Sequence, residues 1–258
     1  MKVAQHIFPS SLEEAYQLQQ ASPKNKVLAG GLWLKKGNAD CDTLIDLSKL
    51  GLDYIKDEKD YVAVGAMVSE RAFERSPVIQ KLGGGVLSRA CNEILGPGFR
   101  NLATVGGSVY GKYGFSDLVT ALLGFKVELE FYPENIVLLE DYVKTPGFGK
   151  GILKEIRIYK EDVKAFFKKV SETATDYPML NVCVTKGNEY RLVVGSRPLV
   201  ATRLEKAAQY LNDGGKDIAK AVELALEELK VADSTAIRGD YRAHLAKVYL
   251  TRALEEVK

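Results

Sequence analysis

Two glycine pairs carry most of the chemical information in this chain. Gly30-Gly31 follows the short apolar run Lys26-Val27-Leu28-Ala29. Gly106-Gly107 lies within Thr104-Val105-Gly106-Gly107-Ser108, and Asp117 stands ten residues after Gly107. Adjacent glycines let successive N–H groups converge on one concavity, and such a nest holds a phosphate oxygen. Lacking a Cβ, they also let a ligand come close to the backbone. Two nests from distant parts of the chain would grip a pyrophosphate from both sides. Thr104 and Ser108 would add hydroxyl donors, and Asp117 would accept from a ribose hydroxyl. Each pair is also compatible with a plain turn, and Ser116 or Asp117 with the cap of a following helix. No G-x-G-x-x-G follows the first strand and no G-x-x-x-x-G-K-[ST] occurs, which argues against a Rossmann domain and a P-loop.

Other reactive residues are sparse. The three cysteines, Cys41, Cys91 and Cys183, are far apart and form no C-x-x-C pair, so spacing supports neither a zinc nor an iron–sulfur site. His6 and His244 are equally distant, which gives little support to a His-based metal site or a Ser-His-Asp triad. Lys and Arg number 36 against 34 Asp and Glu, a balance with no electrostatic case for nucleic acid or an anionic membrane. The 258 residues are 46% apolar and 27% charged, an ordinary globular composition long enough to bury a core. The N-terminus lacks an apolar signal region, and no run nears the ~20 residues of a membrane span, so a cytoplasmic chain is expected.

The elements that must hold these loops follow from periodicity. Ser10 and Glu13 read as a capping box for a helix over Leu12 to Gln20. Strands are expected at 26–29 and 43–47, giving a small β-α-β beginning of about 50 residues. Tyr61 to Ala66 reads as a strand and Ser69 to Arg75 as a short helix. Pro77 starts a longer helical stretch that Gly83-Gly84-Gly85 should break or pack closely. Phe99 to Tyr113 lacks a period and reads as loop, with a helix from Ser116-Asp117. Lys126 to Tyr132, Asn135 to Leu139 and Ile152 to Tyr159 read as strands, the last with Ile152, Ile156 and Ile158 on one face. After Tyr159 come two strands, 179–185 and 190–195, and three helices, 199–211, 216–229 and 241–257. A change of composition near 161–164 marks a domain boundary.

The run Phe99-Arg100-Asn101-Leu102-Ala103-Thr104-Val105-Gly106-Gly107-Ser108-Val109 resembles the R-N-x-A-T-[IV]-G-G-[NS]-[IL] signature of the FAD-binding subunits of molybdenum hydroxylases, the xanthine dehydrogenase and carbon monoxide dehydrogenase type. Ser116-Asp117 stands where that family has Ser-Asp. Ala29-Gly30-Gly31 resembles its first loop, Leu44-Ile45-Asp46-Leu47-Ser48 its L-I-D-[LI]-S strand, and Val64-Gly65-Ala66 its V-G-A segment. Phe167-Lys168-Lys169, Asn181-Val182-Cys183-Val184 and Arg191-Leu192-Val193-Val194-Gly195 resemble the start of its C-terminal domain. The order of motifs agrees over nearly the whole chain.

The resemblance implies an α+β fold. Residues 1–160 would form a two-lobed FAD domain like that of vanillyl-alcohol oxidase, with lobes of about 1–55 and 56–160. Residues 161–258 would form a smaller domain, a three-stranded sheet with three helices. It also implies a ligand map. Leu28, Ala29, Gly30, Gly31, Leu32 and Trp33 would line the FAD on one side. Thr104, Gly106, Gly107 and Ser108 would hold it from the other, with Tyr110 and Gly111 passing the adenosine half. Asp117 would take a ribose hydroxyl, Leu153 would pack near the adenine, and Lys168 would lie close to the FAD. Leu32-Trp33 departs from the family, whose first loop has a hydroxyl residue after the glycines. The family's arginine shortly after the lysine is also absent from Ser171-Glu172-Thr173-Ala174.

The implied function is electron transfer: iron–sulfur clusters deliver electrons to FAD, and an acceptor such as NAD or a quinone receives them. A molybdopterin-binding large subunit and a 2Fe–2S small subunit would be the partners, because the chain carries neither cluster ligands nor a molybdopterin motif. No side chain is expected to act as a catalytic acid or base. Two alternatives stand beside this one, a free-standing MurB-like flavin reductase and a scaffold subunit that has lost FAD.

Overall fold

The structure, a computed structural model, describes residues 2–34, 37, 40–147, 151–235 and 237–258. Its first sheet is parallel, with β3 (Cys41–Asp46) between β1 (Val3–Ile7) and β2 (Lys26–Leu28). Helix α1 (Leu12–Ala21) connects the two outer strands. Its capping box sits one residue later than the pattern suggests. Ser11 is the N-cap and accepts from the Glu14 N–H at 3.1 Å, while the Ser10 N–H and hydroxyl donate to the Glu14 carboxylate. That phase buries Ala15 against Ile45 and Leu47. Strand β1 left no trace in the periodicity because four of its five residues are exposed.

The second sheet is antiparallel, in the order β4 (Ile55–Asp57), β5 (Tyr61–Gly65), β8 (Ile152–Tyr159), β6 (Val127–Tyr132), β7 (Asn135–Leu138). A register shift at Glu130/Phe131 divides the faces of β8. Leu153 joins Ile156 and Ile158 in the main core, and Ile152 turns instead to the cluster of the first sheet. Ile152 therefore does not share the face of the other two isoleucines, because a bulge resets the alternation on which that expectation rested.

Helices cover this sheet. After α2 (Glu70–Arg75) and α3 (Pro77–Lys81), Gly83, Gly84 and Gly85 take φ of 49°, 61° and 80° and break the chain before α4 (Val86–Asn92). A Cβ on Gly83 would lie 2.7 Å from the Phe125 ring. The expected loop over 99–113 is instead mostly helical, α5 (Pro97–Leu102) and α6 (Val105–Gly111), followed by α7 (Asp117–Leu122). Glycine disfavours helix by ~1 kcal/mol per residue. Here the Thr104 cap and burial of Val105 and Val109 outweigh that cost. Helix α8 (Leu139–Lys144) follows β7.

The third sheet is antiparallel and has four strands, β12 (Thr202–Arg203), β11 (Tyr190–Gly195), β10 (Leu180–Lys186) and β9 (Lys164–Val170), one more than expected. The extra strand occupies part of the expected helix 199–211. Pairing of Thr202 and Arg203 with β11 delays helix α9 to Glu205–Asn212. Helices α10 (Ile218–Glu228) and α11 (Gly239–Val257) complete one core with this sheet. The main core reaches Cys183, Val193 and Ala201 on the opposite side of the sheet. All three cysteines are buried and free. Among the described residues, no helix is long and apolar enough to cross a membrane.

Candidate functional site

A single cleft of about 640 Å³ draws its walls from segments beside all three sheets. Leu28, Ala29, Gly30, Gly31, Leu32 and Trp33 line it after β2. Thr104, Gly106, Gly107, Ser108, Tyr110 and Gly111 line it from α6 and its cap, with Asp117 from α7 and Leu153 from β8. Fourteen of the fifteen residues expected at the site thus converge on one cavity. The exception is Lys168, which is exposed on β9, while its neighbour Lys169 is 5% exposed and lines the cleft. Alternation along a strand sends adjacent side chains to opposite faces. Phe167 and Lys169 face the main core and the cleft, and Phe166 and Val170 pack on the helical side.

The glycines act differently from the symmetrical nests expected. A Cβ on Gly30 would stand 2.0 Å from the Leu102 carbonyl oxygen, and one on Gly106 would stand 2.4 Å from that of Ala66. Gly30 thus seats the first loop against the end of α5, and Gly106 seats α6 against Ala66, just after β5. Around the second pair, the N–H groups are already committed. Val105 donates to Val68 O, Gly106 to Ala66 O, Gly107 to the Thr104 hydroxyl oxygen and Ser108 to Thr104 O. The second nest is therefore closed by the helix it starts. Gly31, at φ 74°, turns the first loop away from the strand into the cleft.

The hydroxyls and carboxylates form a buried polar wall. The Ser108 hydroxyl donates to Glu70 Oε1 at 2.6 Å. Glu70, missed by the sequence reading, is 1% exposed, and among the described residues its Oε2 has no hydrogen-bond partner. Burial pushes its carboxyl up to about 7 against the opposing effects of Ser108 and Arg100. Asp117 accepts from Asn181 Nδ2 at 2.9 Å, and burial raises it too to about 7. Ser116 caps α7 by accepting from the Val119 N–H, so Asp117 is not the cap. Lys169 donates to the Glu93 carbonyl at 2.7 Å, and its charge opposes the rise at Asp117.

Aromatic rings from three segments meet along the cleft. Trp33 lies 5.2 Å from Tyr113, 5.1 Å from Phe115 and 6.1 Å from Tyr177, measured between ring centroids, and Tyr113 stacks on Phe115. Trp33 is the chain's sole tryptophan. Its neighbours are 80 or more positions away in sequence, beyond any local pattern.

Such a cavity, apolar in most of its lining with a few convergent polar groups, has the size and character of a cofactor site, roughly 300–1,000 Å³. The profile of the FAD binding domain in molybdopterin dehydrogenase matches residues 2–158, and the chain belongs to that family. Its relatives narrow the class further. Over 96% of its length it is 32% identical to the nicotine 6-hydroxylase medium subunit of Paenarthrobacter nicotinovorans, of which it covers 95%. Among solved structures, carbon monoxide dehydrogenase from Hydrogenophaga pseudoflava superimposes with a TM-score of 0.90, at 23% identity over 100% of this chain and 97% of the other. Quinoline 2-oxidoreductase from Pseudomonas putida 86 gives 0.86, at 21% identity over 100% and 97%. These two share the α+β fold seen here. The chain is an FAD-binding subunit of the molybdenum hydroxylase type.

Gly107 gives a direct test of the cleft wall. Its Cβ position is 2.9 Å from the Thr104 hydroxyl and otherwise open. Gly107→Val should disturb the cap, costing about 1 kcal/mol. It should abolish flavin retention while the circular dichroism spectrum stays native. Wild-type FAD affinity in this variant would remove Gly107 from the site.

Proposed function

We propose that this chain carries one noncovalently bound FAD in the cleft and works as the electron-transfer subunit of a cytoplasmic molybdenum hydroxylase complex. The carrying observation is the convergence of both glycine motifs, Asp117 and Leu153 on one cavity. The first loop, around Gly31, faces the pyrophosphate, since the second pair has its N–H groups committed. Thr104 contributes a hydroxyl, Asp117 accepts from a ribose hydroxyl, and Leu153 packs near the adenine. Lys169 takes the place first given to Lys168. Bound FAD supplies the redox chemistry, and the protein supplies binding, orientation and electrostatics. Electrons come from a 2Fe–2S small subunit that serves a molybdopterin-binding large subunit, and leave to an acceptor such as NAD or a quinone. The medium-subunit designation of the nicotine 6-hydroxylase relative supports a multisubunit setting.

Trp33 makes the cofactor assignment measurable. Its emission overlaps flavin absorption, and it lines the cleft. Titrating the flavin-free chain with FAD should quench that emission to a plateau at one FAD per chain, and yellow colour should survive desalting. An unquenched Trp33 with no retained flavin would leave the scaffold reading in place.

A further inference from the structure

We propose that Glu70 is a positioning residue that sets the direction of the Ser108 hydroxyl, so that an acceptor oxygen of the ligand is received at Ser108 together with a proton on Glu70. The inference rests on the FAD reading of the cleft and deepens it. Ser108 lines the cavity, and its hydroxyl proton is spent on Glu70 at 2.6 Å. In that state Ser108 offers the ligand only lone pairs. A proton on Glu70 reverses the bond. The carboxyl then donates to Ser108 Oγ, and the Ser108 proton turns to a phosphate, sugar or carbonyl oxygen in the cleft. One proton is gained by the protein from solvent as the Glu70 O–H forms, and no other covalent bond changes.

The surroundings favour this exchange. Glu70 is almost fully buried, and its second oxygen lacks a partner among the described residues. Arg100 on α5, whose charge favours the Glu70 carboxylate, is turned to Glu74, which it binds at 2.8 Å. The other groups facing Glu70 are Asp117 on α7, which repels its charge, and Cys91 on α4, whose thiol donates to the Glu70 carbonyl. Glu74 and Arg71 lie on its own helix and pair with each other. Burial places the Glu70 carboxyl at about 7, within reach of either protonation state. The sign follows: a ligand that needs the proton on Glu70 binds fully below this value and progressively less as pH rises through it.

The test is FAD affinity from pH 6 to 8, read by Trp33 quenching, with ADP-ribose, read by titration calorimetry, as a second probe. Neither pyrophosphate diester titrates in that range. The wild type should bind FAD about tenfold more weakly at pH 8 than at pH 6, the loss expected for one required proton with a pKa near 7. Glu70→Gln donates permanently from its amide and should flatten the profile at the low-pH affinity. Ser108→Ala keeps the Glu70 charge but removes the relay, so it should also flatten the profile. Asp117→Asn removes the other carboxyl raised to about 7 and with it the ribose acceptor, so it should bind FAD more weakly at every pH and still lose affinity as pH rises. A slope with both probes assigns the oxygen to the half of the ligand they share, and a slope with FAD alone assigns it to the flavin half. A slope that survives in Ser108→Ala would show plain charge repulsion and overturn the proposal, as would a flat wild-type profile or loss of the slope in Asp117→Asn. These outcomes differ from failure of the cofactor reading, in which no flavin binds at pH 6.

Discussion

Arg100→Ala should cost the folded chain about 3–5 kcal/mol, the range for removing one partner of a buried ion pair. Arg100 is only 3% exposed. Its Nε donates to Glu74 at 2.8 Å, Nη1 to the carbonyls of Ile94 and Leu95 at 2.7 and 3.3 Å, and Nη2 to the Asn92 side chain at 3.2 Å. One planar guanidinium thus ties α5 to α2 and to the end of α4. Removing it takes the partner from the buried Glu74 Oε2, although Arg71 still holds Oε1, and from the half-buried carbonyls of Ile94 and Leu95. For a chain of this size, ~2–4 °C per kcal/mol converts the loss to about 10 °C in melting temperature. Ile94 and Leu95 line the cleft, so flavin affinity should fall with it. Arg100→Lys should recover little, because an ammonium cannot match the planar fork. Thermal melts of both variants at neutral pH decide this. A shift under 2 °C in Arg100→Ala would show that the arginine contributes only to binding and not to the frame.

Gly30→Ala should nearly abolish flavin retention, with an affinity loss of at least ~100-fold, or about 2.7 kcal/mol. The added methyl carbon would fall 2.0 Å from Leu102 O and 3.2 Å from Ala103 Cα. Both obstacles are backbone, so no side-chain rotation relieves them. The first loop must lift away from the end of α5, and the two walls of the cleft part. Overpacking of this kind costs the fold about 1–3 kcal/mol. Gly107 has only a hydroxyl near its Cβ position, so Gly107→Ala should be far milder than Gly30→Ala. Flavin retention measured side by side tests that order, and equal retention by wild type and Gly30→Ala would refute the close approach.

Both predictions concern residues that stand in readable motifs but whose tasks were not readable. Arg100 belongs to the signature run, yet it does not line the cleft and works as an interior brace. Gly30 suggested room for a ligand, and the room is taken by the C-terminal end of α5. Lys168 shows the smallest kind of error. The resemblance pointed to Lys168, whereas the side chain that lines the cleft from β9 is that of its neighbour Lys169. Glu70 left no signal, since a glutamate in the first turn of a helix is ordinary on any solvated surface. Only the packing of α2 against α4, α5 and α6 makes it a buried carboxyl.

The sequence by itself determined most strands and helices, because each amphipathic element repeats its apolar residues at its own period, and capping residues such as Ser69 and Ser116 mark where helices start. It determined the family through motifs held in order along the chain. The tertiary structure alone decided the short helices over 97–111, where glycines erase the period, and the edge strands β1 and β12, which bury too little to show a pattern. It also decided which N–H groups stay available to a ligand, which lysine faces the cleft and which carboxyl loses its water. Several of those properties depend on distant partners, Ser108 for Glu70 at 38 positions and Glu93 for Lys169 at 76. A hydrogen bond, a desolvated charge or a carbonyl at contact distance exists only once the chain has brought both partners together.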